Sequence, residues 1–152
     1  MKTKTDLFLE LWIESRTRFT KLLDGISEPD LKKKLGYSPN SVGFLIRHIG
    51  DVELLFAKNV FGDLTVKVVA KTVIDQKDTG EWIHLQELTD YVKESFEKLQ
   101  HIVSIQSEED WEQTIVTKEF GSKTKSEAFG RIVSHTAYHA GQLALALKYG
   151  QA

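Results

Sequence analysis

The chain has 152 residues, 41% of them hydrophobic and 28% charged, with a net charge of −2. This fits one globular domain over residues 1–152 and carries no electrostatic footprint for nucleic acid. The absence of cysteine excludes disulfides, thiolate metal sites, iron–sulfur clusters and a cysteine nucleophile, and it fits a reducing compartment.

The N-terminal stretch carries Glu10 and Glu14 and lacks the apolar core of a signal peptide. No run approaches the roughly 18 apolar residues of a membrane span, so the expectation is a cytoplasmic protein. Helical periodicity begins at about Thr5 and runs to Asp24, with Phe8, Leu11, Trp12, Phe19 and Leu22 on one face. Leu9 and Ile13 fall outside that stripe and suggest an interface, with a homodimer as the first expectation. Gly25 closes the helix, and a short turn follows, with Ser27 as its cap and Pro29 in its first turn.

A second helix is predicted from Asn40 or Ser41 to before Gly62, with Phe44, Leu45, His48, Val52 and Leu55 on one stripe. The third runs from about His84 to Gln106 on Leu85, Leu88, Val92, Phe96, Leu99 and Val103. The fourth starts near Thr124, where Thr124 and Glu127 match a capping box, and carries Phe129, Ile132, His135, His139, Leu143 and Leu147 until Gly150. Two long connections separate these helices. Residues 63–83 include Thr65–Val69, a short extended segment by composition, and residues 107–123 include a candidate small hairpin. The predicted fold is all-α, a four-helix bundle with long crossover connections.

His135 and His139 are one turn apart, which stacks their Cβ atoms roughly 5–6 Å apart on one face. Both point with Ile132 and Leu143, and His48 points with Phe44, Val52 and Leu55. Three histidines from two helices therefore aim at the core. A buried imidazole needs hydrogen-bond partners or a metal, and one divalent ion would satisfy all three. Three neutral histidines with an open position is the layout of a catalytic zinc site, though imidazole also suits Ni, Fe, Cu and Co. A buried structural role for each ring is the simpler alternative. His101 falls on the polar side of its helix and His84 at its start, so neither is given a role. Thr136 follows the first histidine of the pair where a zinc protease needs Glu, which excludes that class.

Helix two, Asn40-Ser41-Val42-Gly43-Phe44-Leu45-Ile46-Arg47-His48, and helix four, His135-Thr136-Ala137-Tyr138-His139-Ala140-Gly141-Gln142-Leu143, resemble the DinB/YfiT-like superfamily of metal-binding four-helix bundles. Its pattern is a helix-two His after a Ser-led apolar run, then H-x-x-x-H-x-G-Q on the last helix. The resemblance extends to the segment Leu22–Leu31 and covers nearly the whole chain. It implies His48, His135 and His139 as ligands of one divalent metal, nickel or zinc. It also implies a homodimer and, as activities, thiol-dependent S-transfer or isomerisation with a low-molecular-weight thiol cosubstrate, or hydrolysis of a small molecule. Thr136, Tyr138 and Ala140 depart from relatives that carry an acidic residue, a second His or an Arg near the last-helix ligands.

Around the triad, Gln142 lies at the edge of the ligand face, where it could bond a ligand ring or a substrate, or serve close helix packing together with Gly141. Asp51, three residues after His48, could accept a ring N–H, complete the metal shell, or be a solvated charge. Glu53 reads as surface, and Tyr138 as packing or interface. Trp111 and Phe120 flank the last loop and either plug the bundle end or cover the metal. A metal with an open position would acidify a bound water or thiol. The competing class is a non-catalytic, metal-stabilised stress or interaction protein whose site is coordinatively closed.

Overall fold

A computed structural model describes residues 1–152. Five helices dominate it: α1 Lys4–Leu23, α2 Val42–Asn59, α3 Lys71–Asp75, α4 Leu85–Ser104 and α5 Lys125–Tyr149. Single turns of 3-10 helix lie at Glu28–Lys32 and Asp110–Glu112. One hairpin, β1 Thr114–Thr117 and β2 Gly121–Thr124, pairs antiparallel with Thr114 opposite Thr124 and Thr117 opposite Gly121. No helix is long and apolar enough to cross a membrane.

Local chemistry fixes the helix starts. Thr3 and Asp6 exchange side-chain and backbone bonds at α1. Ser41 Oγ accepts from Phe44 N–H at α2, and Thr124 and Glu127 form the reciprocal box at α5. Each satisfies N–H groups that a helix start leaves without partners.

α2 is the central element. It packs chiefly against α4 and also against α5, while α1 lies against α5 and α4. Most of its residues are buried, from Val42 through Ala57. Two glycines let neighbours come close. A Cβ on Gly43 would sit 1.8 Å from the Trp82 carbonyl oxygen, and one on Gly50 would sit 2.8 Å from the Tyr91 ring. One part of the core gathers Trp12, Phe61, Trp111, Phe129 and Leu99, the other Phe19, Leu31, Ile46, Ile49 and Leu143.

The structure corrects three readings. α1 buries Thr5, Trp12, Arg16 and Phe19, while Leu11 is 64% exposed. Leu9, expected outside the stripe, is half-buried against the core. The reason is Arg16, a charged residue on the inward face, which rotates the true stripe away from the one that hydrophobicity alone selects. Glu53, read as surface, is fully buried and is the partner of that arginine. Its carboxylate takes Arg16 Nε at 2.6 Å and Ser95 Oγ at 2.6 Å, and Arg16 also donates to the Val92 carbonyl. Residues 65–69 form no strand, because no strand lies beside them to pair. Val66 and Ala70 tuck inward and the chain turns into α3.

Candidate metal centre

The three core-facing histidines meet. His48 from α2 and His135 and His139 from α5 each offer a ring nitrogen, all within 4.8 Å of one another. His135 Nε2 is 3.1 Å from His48 Nε2. Two imidazole nitrogens on one tetrahedral ion at about 2.0–2.1 Å would stand roughly 3.3 Å apart, so this pair is near ligand spacing, and the third ring lies within 4.8 Å of both. The donor set is all nitrogen, and the residues present fit one borderline divalent ion.

The outer nitrogens are held by the protein in two of the three rings. His139 Nδ1 lies 2.7 Å from Gln142 Oε1. A carbonyl oxygen only accepts, so Nδ1 carries the proton and Nε2 keeps its lone pair. His48 Nδ1 lies 3.0 Å from Thr72 Oγ1. His135 Nδ1 is buried without a partner.

Electrostatics keep the rings neutral. Burial, then the neighbouring His139, lowers His48 to about 4, with Asp51 opposing. Burial, then His139 and His48, takes His135 to about 3. His139 is also lowered by burial, with the Gln142 bond opposing. A neutral ring has a lone pair to give, which is the form a metal ligand requires.

Asp51 is fully buried and is not a solvated charge. It makes no direct bond to a histidine. Its carboxylate accepts from Thr72 N–H at 3.1 Å, Thr72 Oγ1 at 2.7 Å, Arg47 Nε at 2.8 Å and Tyr91 OH at 2.5 Å. Burial, then the Asp51 contact, pushes the Tyr91 hydroxyl up, which keeps it a donor. The Arg47 guanidinium stacks on Tyr91 at 3.7 Å and on Trp82 at 4.8 Å. The Arg47–Asp51 spacing of four is visible in the sequence, whereas Thr72 sits on a five-residue helix with no periodicity to mark it.

A cavity of about 530 Å³ opens beside the rings. His48 and His135 line it together with Val52, Leu55, Phe56, Val60, Val73 and Phe120, and Thr117 at the end of β1 with Lys118 and Glu119 of the hairpin turn close one side. The two flanking aromatics therefore part company. Phe120 walls this cavity, while Trp111 is fully buried among Phe8, Phe61 and Phe129. Tyr138 is exposed and meets His139 edge-on, with ring centroids 5.1 Å apart. Gly141 has open space where a Cβ would be, so it serves no close helix packing. His84 and His101 are exposed and away from the cluster.

The family model of the DinB superfamily matches residues 11–143, a span that contains all three histidines. No curated protein matches the chain in sequence.

Proposed function

We propose that this chain, which belongs to the DinB superfamily, is a metalloenzyme. Its four long helices form the bundle, and His48, His135 and His139 hold one divalent ion, nickel or zinc, that acts on a small molecule. The observation that carries this reading is that two of the three rings line a cavity of about 530 Å³. A site that only tied helices together would be sealed by side chains. Here the face of the cluster opens on a space with an apolar wall and a polar rim at Asn59, Lys118 and Glu119, with room for an organic substrate.

When bound, the ion supplies a Lewis acid beside the cavity. The chain's own residues do the rest. Val52, Leu55, Phe56 and Phe120 offer an apolar wall for the body of a substrate. Gln142 holds the His139 ring by its outer nitrogen, and the hairpin turn forms the rim. The reactions that suit this arrangement are S-transfer with a low-molecular-weight thiol and hydrolysis of a small ester or amide.

The test loads metal-free protein with Ni²⁺ or Zn²⁺ and screens two reactions: transfer of a small thiol to an aryl halide, and hydrolysis of chromogenic esters. The expected result is turnover that needs the ion and disappears in His48→Ala. Metal-loaded protein that turns over neither class overturns the catalytic reading in favour of a metal-stabilised interaction protein.

We also propose that two copies pair through α1 and α5. Leu7, Leu11 and Tyr138 are exposed there, and a groove of about 570 Å³ runs between the helices beside Leu11, Glu14 and Arg18.

A further inference from the structure

We infer that Thr72 is a positioning residue for the metal centre: its hydroxyl links Asp51 to His48 Nδ1 and holds the ring in the tautomer whose Nε2 is free to bind a cation. The proton inventory leaves one arrangement. Thr72 Oγ1 is 2.7 Å from Asp51 Oδ2 and 3.0 Å from His48 Nδ1. A hydroxyl has one proton and a carboxylate has none to give. The Thr72 proton therefore goes to Asp51, and the Thr72 oxygen accepts from His48 Nδ1–H. The proton on Nδ1 leaves Nε2 bare, and Nε2 is the atom that faces His135.

The relay is held from every side. Both Asp51 and Thr72 are buried, at 0% and 2% exposure. Asp51 cannot turn toward His48, because Arg47, Tyr91 and the Thr72 backbone N–H fix both of its oxygens. It lies on the same helix as His48 yet reaches the ring only through a residue 21 positions away in the chain. The long connection between α2 and α4 thus supplies a part of the site that neither histidine helix contains. The next residue, Val73, lines the cavity, so one short helix orients a ring and walls the space in front of it. A hydrogen bond to the outer nitrogen is what selects the tautomer of a ligating imidazole and its basicity.

Only the consequence for metal affinity rests on the proposed metal function; the tautomer is a property of the metal-free chain. The test therefore uses both readouts on the full chain and on two variants. Thr72→Val removes the hydroxyl and keeps the shape, and Thr72→Ser keeps the hydroxyl. In metal-free, ¹⁵N-labelled protein at neutral pH, long-range ¹H–¹⁵N correlations report which ring nitrogen of His48 carries the proton. The expected result is Nδ1–H in the parent and in Thr72→Ser, with a shift toward Nε2–H in Thr72→Val. Zinc affinity, measured against a chromophoric chelator, should fall about 10–100-fold in Thr72→Val and recover in Thr72→Ser. A parent His48 protonated on Nε2, or a Thr72→Val variant unchanged in both readouts, overturns the inference. A tautomer shift without zinc binding by any of the three proteins upholds the positioning role and counts against the metal function alone.

Discussion

The protonation of His48 and His135 sets how the metal-free protein answers acid. Their folded values, about 4 and about 3, lie below the ordinary 6.5. Above that ordinary value neither the folded nor the unfolded chain holds the proton, and the rings contribute nothing to pH dependence. Between about pH 6.5 and 4 the unfolded chain takes up protons that the folded chain refuses. The folded state loses stability through that window, by a few kcal/mol as an order of magnitude, and the loss levels off below about pH 3. Thermal melts of metal-free protein across pH 7.5 to 4 should fall more steeply than those of the His48→Ala/His135→Ala variant. Equal slopes would contradict the burial of these rings as neutral bases. The Arg16–Glu53 pair makes a second expectation at this scale. Glu53→Gln keeps the shape and leaves a guanidinium buried without its counter-charge. That costs about 3–5 kcal/mol in denaturant unfolding, and a loss under 1 kcal/mol would mean that solvent reaches the arginine.

Among the elements, α2 carries the most structural information. It meets two long helices, contributes one histidine, and sets a carboxylate on each side of its buried length. Gly43 is where its packing is tightest, against the Trp82 carbonyl, and Gly50 is where it bears on the Asp51 network, since an added Cβ would lie 2.8 Å from the Tyr91 ring. Gly50→Ala should push Tyr91 off Asp51 and lower the melting temperature by several degrees. Near-ultraviolet circular dichroism would register the moved ring, and an unchanged spectrum and melt would show that the contact relaxes freely. The long helices are legible in the sequence because their caps and apolar periods agree, as at Thr124, Glu127 and the stripe through Ile132. The hairpin is legible from its composition. The inward face of α1 is not, because it includes Arg16, and hydropathy has no means of knowing that Glu53 waits opposite. The same holds for Asp51, whose burial depends on Thr72 and Tyr91 arriving from two other helices to join Arg47 of its own. α3 escapes for a simpler reason: five residues are too few to show a period. The three histidines stand out because each interrupts an otherwise apolar stripe.

For the whole molecule, the family match over residues 11–143 and the open cavity bear on different questions. The first concerns ancestry and fold, and the second concerns what the cluster can reach. Two-copy association through the α1–α5 face predicts that Leu11→Glu converts a dimer to a monomer in sedimentation velocity while helix content is retained. A parent that sediments as a monomer at micromolar concentration would remove that interface.

The central claim, a divalent ion on His48, His135 and His139, is tested most directly by metal content. Purified protein and a His135→Ala/His139→Ala variant are exposed to nickel and zinc, freed of excess by gel filtration and analysed by elemental mass spectrometry. The account predicts close to one ion per chain in the parent and almost none in the variant, with the helical circular dichroism of both intact. A parent that retains no ion, or a variant that retains as much as the parent, would contradict it.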